Sequence, residues 1–217
     1  MSSSTSETHQ IIEHIVLFKV KENVDSTKLD SMVNDLQNLV KIDQVLHLSA
    51  GSIHRLRSNS NSVFTHVLHS RYRSKGDLKA YVDHPNHVRV VEELLPVWED
   101  VMAVDWIADL IPGTTLALVP GSVGKISLVK VKENVSDEVK SEIMEVISEK
   151  SPEIDQITAG ENFSPARCNG FSIVSIAYFK DFSEMKKNHK DLVMEKFGDF
   201  VDDTIVVEFV VPSGPIE

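Results

Sequence analysis

The chain has 217 residues, a net charge of −11 and ordinary hydrophobic content, 41%. That charge excludes the basic face a nucleic-acid binder needs and works against docking on an anionic membrane. No apolar run approaches the roughly 20 residues of a membrane span. The single cysteine, Cys168, excludes an internal disulfide and fits a reducing, cytoplasmic location.

From the N-terminus, MSSSTSETHQ lacks the apolar core of a secretory signal and the arginines of a transit peptide. Residues 1–11 read as a disordered tail. Glu13–Val20 is rich in Ile, Val and Phe and predicts a strand. Asp25 or Ser26 can cap a helix carrying Leu29, Met32, Val33, Leu36, Leu39 and Val40 at helical spacing. Strand-like runs follow at about 44–53 and 62–72, joined by RLRSNSNS, read as a polar hairpin loop. Ser74 opens a short helix to Val82, and His84-Pro85 a second one to about Leu95, with Pro85 in its first turn. Val101–Ala108 is a last strand.

The second half repeats this βαββαβ order. It has a strand at 124–131, a helix at 136–149, strands at 154–161 and 170–179, a helix at 183–197 and a strand at 203–211. KVKENV occurs at 19–24 and again at 130–135, 111 residues later. IDQ at 42–44 and 154–156, and AVDW against VVEF, are further echoes. The segment DLIPGTTLALVPGSVG between the halves carries two Pro-Gly pairs, a connector signal. The domains are therefore a tail at 1–11, a first unit at 12–110, a linker at 111–122 and a second unit at 123–212. Both strand faces are apolar: His14, Val16 and Phe18 alternate with Ile15 and Leu17. A sheet covered by helices on one side leaves its other face bare, and the second half is the natural cover.

HIVLFKVKENV, FTHVLHSRY, YVDHPNHV and VMAVDW in the first half resemble the stress-responsive dimeric A/B-barrel (Dabb) family, and the whole chain resembles its tandem plant members. The second half carries the resemblance through element order and KVKENV. The resemblance implies an α+β fold of two ferredoxin-like units that pair their sheets into an internal pseudo-dimeric barrel. It leaves self-association of the whole chain into a homodimer open. The family includes plant polyketide cyclases similar to olivetolic acid cyclase. Their Tyr and His fall on Tyr81 and His87 here, while the place of a further pocket tyrosine is taken by Leu36.

If the face of His14, Val16, His66, Leu68, Ala103 and Asp105 points into the barrel, it lines a mostly apolar pocket with a few polar groups. Tyr81, His87 and Trp98 would close it from the helix side. A neutral His can take a proton from carbon, and a Tyr hydroxyl can bond a developing enolate, with no cofactor required. The plainer reading makes HPxH a helix start whose imidazoles form local hydrogen bonds, and His14 and His66 satisfied core residues. His66 and His69 face opposite ways and cannot share a metal. By resemblance, main-chain carbonyls near Val40, Ile42 and Val45 could hold a weak magnesium ion. Arg167 could lower the pKa of Cys168, although an incidental thiol is the simpler account.

Matching the halves sets Lys125 against His14, Ile173 against His66, Val201 against Trp98 and Glu208 against Asp105, and YVDHPNHV becomes NHKDLVME. The expectation is a stress-response barrel that binds a small apolar or aromatic molecule in one pocket, in the first half. The alternative is a cofactor-free polyketide cyclase-like enzyme with Tyr81 and His87 as its acid/base pair.

Overall fold

The computed structural model describes residues 9–59, 63–110, 113–187 and 192–213. Most of the expected tail, the end of the polar loop after 59, the first linker residues and part of NHKDLVME lie outside them. The first half runs β1 (His9–Val20), α1 (Ser26–Asn38), β2 (His47–Ser58), β3 (His66–Tyr72), α2 (Lys75–Val82), α3 (Pro85–Leu94) and β4 (Trp98–Leu110). The second runs β5 (Val123–Val131), α4 (Asp137–Ser148), β6 (Ile154–Glu161), β7 (Ile173–Phe179), α5 (Phe182–Lys187), α6 (Leu192–Phe197) and β8 (Val201–Val210). Within the helix expected at 183–197, Phe182–Lys187 and Leu192–Phe197 are helical. Residues 9–11, expected in the tail, pair with β4.

KVKENV does the same local work twice. Each copy ends a strand through a register shift, at Lys19/Val20 and at Lys130/Val131. The next residue caps a helix: Asp25 accepts from the Lys28 amide and Ser136 from the Val139 amide. The IDQ echo is accidental. Strand register aligns Gly51 with Gly160 and His47 with Gln156, which places Ile42–Gln44 in a turn and Ile154–Gln156 in a strand.

All eight strands form one antiparallel sheet in the order β4-β1-β3-β2-β8-β5-β7-β6. One seam between the halves is a true ladder. β2 runs past the end of its own hairpin and pairs with β8 from Ile53↔Phe209 to Ser58↔Ile205. Arg55–Ser58, expected in a loop, is strand for that reason: its hydrogen bonds go to the other half, whose arrival no local pattern announces. The opposite seam nearly closes the barrel. There the Phe163 amide donates to the Asp105 carbonyl (2.9 Å), and the Asp105 amide to Asn162 Oδ1 (3.1 Å). Gly160 permits this approach: a Cβ on it would meet Trp106 Cδ1 at 2.7 Å and the Ile107 carbonyl at 2.9 Å.

The barrel interior is the largest apolar cluster and draws on both halves. Ile15, Leu17, Val104 and Trp106 pack against Ile126, Ile176, Val207 and Phe209. The other faces pack on helices, in separate clusters for each half. The face of His14, Val16 and Leu68 points toward the helices, not into the barrel, because Ile15 and Leu17, of opposite parity, fill the barrel. The conditional pocket read from the sequence therefore lies between sheet and helices.

Glu13, His69 and Arg71 share the barrel-facing parity and are fully buried. The Arg71 guanidinium holds Glu13 through Nε (3.1 and 3.2 Å) and Nη2 (3.0 Å). His69 Nε2–H donates to Glu13 Oε2 (2.6 Å), and the Tyr178 hydroxyl donates to His69 Nδ1 (2.7 Å). That chain of donors requires a neutral His69. Thr158 donates to Glu13 Oε1 (3.0 Å), while Arg71 also donates to Gln156 and to the Leu116 carbonyl. The network thus joins the first half, the second half and the linker. Burial alone would raise the Glu13 pKa. The charge of Arg71 and the hydrogen bonds from His69 and Arg71 outweigh it and hold the carboxyl well below the usual range.

Arg71→Met strands a buried carboxylate and should cost about 3–5 kcal/mol in urea unfolding, whereas Glu13→Leu together with Arg71→Met should cost less than Arg71→Met alone. A pH effect follows from the same region. Burial lowers His69, and lowers His47, whose ring lies 5.4 Å from that of His69, to about 3. Below the ordinary value of 6.5 the unfolded chain binds protons that the folded chain refuses, so stability falls with pH. Glu13, depressed when folded, loses its contribution in the same direction below its ordinary 4.5. The melting temperature should be level above about pH 7 and drop below about 6.5, and His47→Asn should remove part of the drop.

Candidate functional site

Antiparallel register sets His14 opposite Asp105 on β4 and Ser70 on β3. Both members of the His14–Asp105 pair are almost fully buried, with His14 Nδ1 2.5 Å from Asp105 Oδ1. Burial would raise the Asp105 pKa. The hydrogen bond and charge of His14, then Ser164 and Arg167, reverse this and hold it below the ordinary carboxylate value. Tyr72 stands edge-on to His14, with ring centroids 6.2 Å apart, and its hydroxyl lies 2.9 Å from Ser70 Oγ.

A row of rings leads from there to the helices. Tyr72 and Tyr81 lie 5.1 Å apart, and Tyr81 and His87 4.6 Å. Burial raises the pKa of both tyrosines, so each is a neutral hydroxyl near pH 7. His84 caps α3 by accepting from the Asn86 amide (3.2 Å), and Pro85 occupies the first turn. His87 Nδ1–H donates to the Val82 carbonyl (2.9 Å). HPxH therefore is a helix start, as the plainer reading has it. That bond also fixes the tautomer of His87 and leaves a lone pair on Nε2. Burial lowers its pKa, the Val82 bond only partly offsetting this. The ring is half-buried.

The expected site set divides. His14, Asp105, Tyr81 and His87 belong to one end of the first half's sheet–helix space. His66 pairs with Phe18 in register, four residues along β1 from His14, or roughly 13 Å. It is satisfied locally by Thr65 Oγ1 (2.9 Å). Trp98 also lies at that far end, tilted against Phe18 at 4.8 Å with its Nε1–H toward Met32 Sδ (3.3 Å). Val16, Leu68 and Ala103 pair with one another in register between the two ends. Leu36 is buried in the same core.

Sequence reasoning missed the roof, which the other half supplies. After β6 the chain turns over the His14–Asp105 end. Phe163 packs on the first half's core under Lys75 Nζ (4.0 Å to the ring centroid), and Ser164 and Arg167 act on Asp105. Only the polar, Pro-containing run SPARCNG hinted at a turn there. Cys168 is buried in that turn, where Asn162 Nδ2 donates to its Sγ (2.7 Å). Burial raises its pKa, which corrects the suggestion that Arg167 lowers it.

At Val40, Ile42 and Val45 the turn offers a magnesium ion only neutral carbonyls, and that of Ile42 already accepts from the Val45 amide (2.9 Å). Magnesium is usually bound through carboxylates, so these three residues fit it poorly. No group of three or more His, Cys, Asp or Glu is arranged for a metal among the described residues.

A cavity of about 400 Å³ lies in the second half, between its sheet and helices. Lys125, Ser127, Ser175 and Val129 are on its wall. By strand register these are the counterparts of His14, Val16, Leu68 and Phe18.

Known proteins share this architecture. The profile of the stress responsive A/B barrel domain (Dabb) matches twice, at 12–108 and 123–211, and the chain belongs to that family. It is 62% identical to a stress-response A/B barrel domain-containing protein of Arabidopsis thaliana, over 98% of this chain and 83% of that protein. It is 59% identical to a second Arabidopsis thaliana protein of the same description, over 94% of this chain and 98% of that protein. A crystallised Fusobacterium nucleatum protein described as a candidate monooxygenase covers 97% of each chain with a TM-score of 0.67 at 14% identity, a likeness of fold alone. No helix among the described residues is long and apolar enough to cross a membrane.

Asp105 and His14 should be energetically coupled. A double-mutant cycle with His14→Leu and Asp105→Leu in urea should give a coupling of about 1–3 kcal/mol, each single change leaving a buried polar partner.

Proposed function

We propose that this chain is a stress-response barrel that binds a small apolar or aromatic molecule against the His14–Asp105–Tyr81–His87 end of its first half. The observation that carries the reading is His87. Its ring is half-buried, fixed by Val82 and packed on Tyr81, so one polar group at this end stays partly accessible and is not consumed by the core. The Ser164–Arg167 turn gives such a ligand a polar edge, while Phe163 and the neighbouring aliphatic residues give it an apolar wall. A cytoplasmic location and association of whole chains into homodimers belong to the same proposal. No cofactor is required, and any magnesium at Val40, Ile42 and Val45 would be weak.

A second reading, cofactor-free enolisation as in the polyketide cyclases, is favoured by the tautomer of His87. With Nδ1–H committed to Val82, Nε2 can take a proton from the carbon beside a ketone. The electron pair moves onto the carbonyl oxygen. Tyr81, kept protonated by burial, can donate to that oxygen.

Aromatic polyketide-like compounds titrated into the protein should move the imidazole resonances of His87 and His14 and shift the His87 pKa. No movement at either ring across a broad panel would overturn the site. Deuterium entering the α-carbon of a bound β-diketone in heavy water, and failing to do so with His87→Ala, would establish the enzymatic reading. Binding without exchange leaves a binding module.

A further inference from the structure

We infer that the second half holds a ligand site of its own, a cavity that takes a small amphipathic acid, one apolar body with one carboxylate. This stands independently of the first-half site. The cavity follows from the way the halves differ. In the first half, Phe18, Leu68, Val16 and Trp98 fill the space over the sheet. Register puts Val129, Ser175, Ser127 and Val201 at those positions. All four are smaller, and three of them, Val129, Ser127 and Ser175, border the room left under helices held by their own apolar contacts. The resulting volume, about 400 Å³, is that of a small-molecule pocket.

The wall chemistry selects the ligand. Where the first half has His14 and Asp105, this half has Lys125 opposite Glu208. Arg57, arriving on the β2 extension from the other half, lies 3.2 Å from the same carboxylate, and both Lys125 and Arg57 line the cavity. Two cations, from strands of different halves, thus reach the cavity wall. Ser127 and Ser175 add hydroxyls beside Lys125, where the first half has aliphatic side chains. Val129, Ile147, Val193 and Phe179 supply an apolar wall. Glu149 and Glu153 also line the cavity; Glu149 is exposed, and Lys187 beside them is paired with Glu184 at 2.7 Å. An anionic head group near Lys125 and Arg57, with its body along the aliphatic wall, matches both characters.

Octanoate and octan-1-ol, titrated into the full chain by calorimetry and by amide NMR, test this. Octanoate should bind one to one, shifting the amides of Lys125, Ser127 and Ser175. The alcohol should bind at least about tenfold more weakly, and Lys125→Met should weaken octanoate by about tenfold or more, equivalent to about 1.4 kcal/mol. Ser127→Val with Ser175→Leu restores residues the first half already carries. It should abolish octanoate binding without lowering the melting temperature, so loss of binding cannot be laid to misfolding. Four results would overturn the inference: no octanoate binding at roughly millimolar concentration, equal binding of acid and alcohol, binding that survives the filled cavity, or shifts centred on Tyr81 and His87.

Discussion

A carboxylate inside a barrel is tolerable only if every oxygen lone pair is met, and Glu13 meets that condition only when the whole chain is assembled. Arg71 and His69 come from the neighbouring strand, Thr158 from β6, and Tyr178 reaches Glu13 through His69. Arg71 in turn needs the Leu116 carbonyl of the linker and the side chain of Gln156. Apolar burial would accept many relative positions of two greasy sheets. A buried ion network with fixed donor directions accepts very few. Its contribution therefore lies in specifying how the halves meet.

The network is also one-sided, and that bears on why the chain repeats itself. At the positions of Glu13, His69 and Arg71 the second half has Gly124, Ile176 and Tyr178. A symmetric pair of first halves would bring two charged clusters into one interior. The tandem chain brings one, and opposes it with a hydroxyl, apolar side chains and a glycine over which the Phe209 ring lies. The second half is complementary to the first, which goes beyond covering a bare face.

Much of the architecture was legible in the strand alternation, KVKENV and the cap residues, because these are local signals whose period reports burial. Two things were not. Arg55–Ser58 read as loop, since a strand whose partners lie about 150 residues away had only Leu56 among polar side chains to mark it. The direction of the two sheet faces was also undetermined: alternation says which residues share a face, and both faces were apolar. Glu13, His69 and Arg71 sit at barrel parity beside Ile15, Leu17 and Val67. Opposite charges at matching positions of adjacent apolar strands were the available sign of a buried pair. At the candidate site, HPxH correctly marked a helix start, and His14 and Asp105 correctly fell on one face. His66 did not join them, because shared parity carries no information about distance along a strand.

The two seams give each half a stake in the other's interior. At the ladder seam Arg57 reaches Glu208; at the open seam Ser164 and Arg167 favour the charged form of Asp105. These are the same relation under the pseudo-twofold of the barrel, an acid on the last strand of one half met by polar groups at or just beyond the end of a strand of the other. One half answers its acid with His14, and its space is filled by rings. The other answers with Lys125 in a space left open. The sheet–helix spaces have therefore diverged while the polar groups over their acids stayed tied to the barrel seams.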